Sequence, residues 1–174
     1  KNKLPIRDFW IFTGLFVDYL QAFFFLLFGA SWKSYVFHAS TINIFGTLSF
    51  YYFLKSFKLN KFGIIIYCLS FATLCYPVSG TPFAYLHSYI FSLISIFLFI
   101  YATRQEKNLP WFILPFLFFI SFFSMQTPSI YIIILLLFFL FFFFIKNKRT
   151  KNFKFFLLGS LSSLFIFIIF LFLT

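Results

Sequence analysis

Residues 146–154 read Lys-Asn-Lys-Arg-Thr-Lys-Asn-Phe-Lys, five cations in nine positions, and the sequence is apolar on either side. The preceding run, 129–145, contains Phe138-Phe139 and Phe141-Phe142-Phe143-Phe144, and the following run covers 155–173. Neither holds a Lys, Arg, Asp or Glu. Each is as long as a transmembrane helix, about 17 to 25 residues. The basic stretch therefore reads as a loop between two spans.

Two further basic clusters lie upstream, Lys55, Lys58 and Lys61, then Arg104 and Lys107. The uncharged intervals between the clusters are each long enough to cross a bilayer twice, at ~20 residues per pass. Basic loops that alternate with uncharged ones mark a polytopic membrane protein whose basic loops stay in the cytoplasm. Of the 14 Lys and Arg residues, ten fall in these three loops and four (Lys1, Lys3, Arg7 and Lys33) fall in the N-terminal segment on the outer side. The balance favours this orientation.

Composition agrees. The 174 residues are 63% hydrophobic, include 37 Phe, and have a mean hydropathy of +1.01. A globular chain is only about half apolar, so lipid must solvate most of these side chains. In a soluble protein a net charge of +11 would suggest a nucleic-acid partner. Here the cations sit at helix ends, where orientation and anionic headgroups account for them, and no nucleic-acid partner is expected. Cys68 and Cys75 are about two helical turns apart, roughly 10 Å, too far for a disulfide.

The expected architecture is all-α, with six spans at 35–54, 62–78, 83–103, 111–124, 129–145 and 155–173. Gly80, Pro77 and Pro82 mark the turn before the third span, and Pro128 the turn before the fifth. Pro110 suits a first helical turn, and Pro115 predicts a kink or tilt in the short fourth span. Residues 10–31 differ. Asp18, Gln21 and Gly29 interrupt or bound them, and Trp10 and Trp32 bracket them like headgroup-level aromatics. They predict a helix lying in the outer interface rather than a seventh span. The chain divides into an outer segment, 1–34, and a membrane domain, 35–174. It reads as an internal piece of a longer protein.

Few polar groups are available for chemistry, and each has a structural reading as well. Asp18 could hold a divalent metal or orient a hydroxyl acceptor, or be a solvated acid. A divalent metal is the only cofactor candidate. His38, at the outer start of the first span, reads first as a satisfied interhelical histidine. Tyr85, His87 and Ser88 follow the most polar outer loop, and His87 lies deep enough to need a partner or a use. Gln126 and Thr127 could meet a ligand or cap helix ends. There is no phosphate-binding glycine loop, no metal-spaced Cys/His set and no Ser-His-Asp arrangement.

Taken in order, Leu27-Phe28-Gly29, Ser31-Trp32, the Tyr76-Pro77 and Gly80-Thr81-Pro82 turn, and Gln126-Thr127-Pro128 resemble integral-membrane glycosyltransferases of the C-type superfamily. The nearest likeness is to bacterial proteins similar to dolichyl-phosphate-mannose protein mannosyltransferases, over residues 14–145. The resemblance implies transfer of a sugar from a polyprenyl-phosphate carrier to an envelope glycan, lipid or protein on the periplasmic face of a bacterial inner membrane. It implies that the catalytic acid lies upstream of Lys1 and that Asp18 does not fill that role. Met125 stands where relatives often have Lys, and Ala84, Tyr85 and Leu86 stand where relatives are richer in Asp and His. Tyr85, His87 and Gln126 are the expected substrate contacts, followed by Asp18 and His38. The other readings are a transporter or flippase of lipid-linked sugars, and an inactive membrane segment.

Overall fold

A computed structural model describes residues 14–105 and 107–173. Within them the chain forms seven helices: α1 (Leu15–Phe28), α2 (Trp32–Ser56), α3 (Lys61–Leu74), α4 (Ala84–Arg104), α5 (Leu109–Ser124), α6 (Gln126–Asn147) and α7 (Thr150–Leu173). The all-helical expectation holds among these residues, and each expected span coincides with one helix.

The number of spans is less simple. Among the described residues, three helices are long and apolar enough to cross a membrane: α4, α6 and Thr150–Phe170 of α7. The helices α1 and α3 have 14 residues each and α5 has 16. At 1.5 Å per residue they reach about 21 to 24 Å, short of a hydrocarbon core of about 30 Å. The second span is expected to reach residue 78, but α3 stops at Leu74, with Cys75 as its C-cap. The residues Tyr76 to Phe83 are non-helical and carry Pro77, Gly80 and Pro82, with a Gly80 N–H to Pro77 carbonyl bond of 2.9 Å. The helix α2 is long enough, at 25 residues, but carries His38, Asn43 and several hydroxyls.

Two other boundaries shift. Pro128 does not make the turn before α6. It lies inside the first turn of that helix, and a single residue, Met125, joins α5 to α6. First-turn N–H groups have no intrahelical partner, so a proline there costs no hydrogen bond. Pro110 takes the same place in α5, and Pro115 sits within that helix without ending it. Within the stretch expected to form an interfacial helix there is a helix at Leu15–Phe28, while Trp10 lies outside the described residues.

The bundle is built around α5, which packs on α4, α6 and α7, and around α2, which packs on α1, α3 and α4. One core gathers Ala102, Trp111, Leu114, Phe118, Leu136 and Leu140, and a second gathers Ile42, Ile90, Phe91 and Ile94. Serine joins α4, α5 and α6. Ser88 and Ser129 hydroxyls are 2.5 Å apart, Ser92 and Ser121 are 2.7 Å apart, and Ser129 also donates to the Ser121 carbonyl at 2.6 Å. Small hydroxyl residues let helices approach closely where water is absent, and they satisfy one another across the interface. One close helix crossing is at Gly159 of α7. A Cβ there would collide with the Phe112 carbonyl of α5.

The basic loops share one end of the bundle. The Arg104 guanidinium lies 3.7 Å above the Phe57 ring, which brings the first two loops together. Trp111, at the start of α5, meets Phe143 and Phe144 at the end of α6 with centroids 5.3 and 5.1 Å away. At the opposite end the Gly14 N–H donates to the Ser124 carbonyl at 3.1 Å, seating the start of α1 on the end of α5.

Candidate functional site

The polar residues of the end opposite the basic loops fall into three places. The first is buried. Gln21 of α1, His38 of α2 and His87 of α4 are 8%, 0% and 1% exposed. The side-chain amide of Gln21 lies 2.8 Å from His38 Nδ1, His38 Nε2 lies 2.9 Å from His87 Nε2, and His87 Nδ1 lies 2.8 Å from the Phe83 carbonyl. Phe24 stacks on the His38 ring at 5.1 Å.

Hydrogen-bond arithmetic gives this chain a direction. A carbonyl only accepts, so His87 Nδ1 carries a hydrogen and donates to Phe83. In a neutral imidazole the other nitrogen then accepts. His87 Nε2 therefore receives from His38 Nε2, which leaves His38 Nδ1 as an acceptor. Only the NH2 of Gln21 can supply that bond. Amide oxygen and nitrogen are interchangeable in shape, and the network assigns them. Turning the amide so that its nitrogen faces His38 also gives a partner to Gln21 Nε2, a buried donor that otherwise has none. The chain runs from Gln21 through His38 and His87 to Phe83, each group donating to the next.

The second place is a groove of about 480 Å³ between α4 and α6. Tyr85 and Tyr89, one turn apart on α4, face Thr127 and Tyr131 of α6 across it. The three tyrosines are largely exposed. Ring faces and hydroxyls on a rigid wall suit a ligand with both C–H and O–H surface, as a sugar has.

The third place is a groove of about 280 Å³ between α1, α5 and α7. Phe16, Phe119, Phe123, Phe167 and Ile166 line it, and Tyr19 is the main polar side chain in its wall. The Tyr19 hydroxyl is shielded from solvent and has no hydrogen-bond partner.

No family model, no curated protein and no solved structure matches this chain. The site must be read from its own geometry.

The five expected contact residues do not form one site. Two positions on a helix are about 200° apart, so Tyr85 and His87 point to opposite sides of α4. Tyr85 faces the α6 groove and His87 faces α2. Gln126 is exposed as the first residue of α6, beside Thr127 of the tyrosine groove, and no side chain caps that helix. Asp18 is exposed on α1, while Val17, Gln21 and Phe24 make the buried side of that helix. Among the described residues, no three His, Cys, Asp or Glu side chains come together. His38 does find the interhelical partner expected of it.

The sequence reading missed Gln21, Tyr89 and Tyr131. Tyr85 and Tyr89 carry an i, i+4 signal that was available. The pairing of the only two histidines was not, because 49 residues separate them.

Proposed function

We propose that this chain is the membrane part of a glycosyltransferase that uses a polyprenyl-phosphate sugar and acts at the outer face of a bacterial inner membrane. In this reading α2 to α7 are six spans, α1 lies across the outer end, and the basic loops are cytoplasmic. The helices α3 and α5 cross as short spans, with local bilayer thinning or flanking residues making up the difference. The observation that carries the reading is the groove between α1, α5 and α7. It is walled by phenylalanine and isoleucine, and it opens beside the outer helix. An isoprenoid chain needs such a slot, entered from the side. The tyrosine groove lies beyond the α5–α6 turn and takes the sugar or the acceptor.

The test uses the full-length protein with a radiolabelled polyprenyl-phosphate sugar. Phe123→Trp or Ser163→Trp fills the apolar groove and lowers turnover by at least about tenfold, a barrier change of ~1.4 kcal/mol. Full turnover in both variants would remove the groove from the donor site.

The second reading is a proton-coupled carrier or flippase of lipid-linked sugars. The buried His38–His87 chain favours it, because ionisable residues inside a membrane bundle mark proton pathways. His38→Gln should then abolish translocation in vesicles, whereas a transferase would keep its turnover.

A further inference from the structure

Half of the ten cations at the basic end lie in and beside the turn between α6 and α7: Lys146, Lys148, Arg149, Lys151 and Lys154. Asp18 is the only acid among the described residues, and it belongs to α1. Nothing described at the basic end therefore neutralises this turn.

The same region holds hydrogen-bond donors that lack acceptors. Arg149 Nη1, Asn152 Nδ2 and Trp111 Nε1 are all shut off from solvent and unpartnered. Asn152 is 8% exposed and Trp111 is 0% exposed. Two of the three share one ring, and the third is next in sequence to a residue that packs on its neighbour. The Trp111 ring stacks on Phe143, the Arg149 guanidinium lies 5.6 Å above the same Phe143, and Phe144 meets Phe153, next to Asn152, at 5.3 Å. Trp111 and Asn152 sit in the first turns of α5 and α7, where the helix end adds partial positive charge.

Buried donors without acceptors are uncommon, and each calls for an explanation. Here donors are in surplus, no carboxylate is described at this end of the bundle, and the local charge is positive. The complement is an oxygen-rich anion. The surroundings favour one source, since Phe141, Ile145, Leu157 and Leu161 of the two flanking helices are exposed and apolar.

We propose that the α6–α7 turn binds the phosphoryl headgroup of an anionic phospholipid. Arg149 and Asn152 donate to the phosphate oxygens, Trp111 forms the floor, and the acyl chains lie along α6 and α7. This goes beyond sugar transfer and depends only on the bundle being embedded in a bilayer.

The experiment is native mass spectrometry of the detergent-purified chain mixed with equal amounts of phosphatidylglycerol and phosphatidylcholine. One cation at a membrane surface favours an anionic lipid about fivefold, so the wild-type chain retains phosphatidylglycerol at least that strongly. Arg149→Gln and Asn152→Leu each lower the preference, and together they abolish it. Lys55→Gln with Lys58→Gln, in another basic loop, leaves it unchanged. If the double variant does not fold, the exposed pair Lys148→Gln and Lys151→Gln decides, with a drop in preference expected. Equal retention of the two lipids by the wild type, or an unchanged preference in the folded double variant, overturns the proposal. So does complete displacement of the lipid by millimolar inorganic phosphate, which would make the turn a site for a soluble anion.

Discussion

His38 and His87 meet Nε2 to Nε2 at 2.9 Å, and His38 spends its other ring nitrogen on Gln21 of α1 while His87 spends its own on the Phe83 carbonyl at the start of α4. Neither ring can be removed without leaving the other with a buried, unpaired nitrogen. His38→Ala and His87→Ala should each cost about 1–3 kcal/mol in detergent unfolding, and the double variant clearly less than the sum. Additive losses would mean that the two rings are not coupled.

The serine contacts predict a graded series. Ser129 bonds to Ser88, Ser121 and Met125, so Ser129→Ala should lower stability by about 1–2 kcal/mol. Ser124 donates only to the Ile120 carbonyl of its own helix, and Ser124→Ala should cost under ~0.5 kcal/mol. Thermal melting monitored by size exclusion would rank them. Equal costs would refute the idea that the knot between helices, rather than each hydroxyl alone, carries the stability.

Two glycines should respond to alanine for opposite reasons. Gly159→Ala meets the Phe112 backbone and must push α7 off α5, so most of the protein should fail to fold. Gly29 has φ +74° and ψ 165° but open space around it, so Gly29→Ala carries only the backbone penalty of about 1–3 kcal/mol. Resistance to trypsin in membranes separates the outcomes. A well-folded Gly159→Ala protein would contradict the close crossing.

The sidedness of the chain is open to a labelling experiment. With Cys68 and Cys75 replaced by Ser, single cysteines at Val78 and Lys148 should react with an impermeant maleimide from opposite sides of a sealed vesicle. Val78 is fully exposed in the loop after α3, and Lys148 is exposed at the basic end. Reaction of both from one side would end the six-span reading.

Helix positions were legible because charge and proline punctuate this chain so strongly. Lys55 to Lys61, Arg104 to Lys107 and Lys146 to Lys154 each fall at a helix boundary in the structure. Helix ends were less legible. In an apolar chain, hydropathy cannot say whether Val78 continues a helix or leaves it. Side-chain directions were the least legible. When almost every position is apolar, the 3.6-residue pattern that separates inside from outside nearly vanishes. The inward faces are marked instead by small polar residues, such as Ser88, Ser92 and Ser95 at i, i+4 and i+7 of α4. That spacing is present in the sequence. The meeting of Gln21, His38 and His87 depends on three helices at once, and no local pattern encodes it.

Met125 alone separates α5 from α6, and neither the turn nor the adjoining helix ends there carry a charge. During biosynthesis a pair of helices closed this tightly has no ionic group at its leading tip to drag through hydrocarbon. Its backbone polar groups are largely satisfied within the pair, and Ser129 and Ser121 already bind each other across it. In the membrane reading, the cell's insertion machinery would therefore handle these two segments as one wedge, released sideways into lipid as a unit, with assembly beginning before α7 is made.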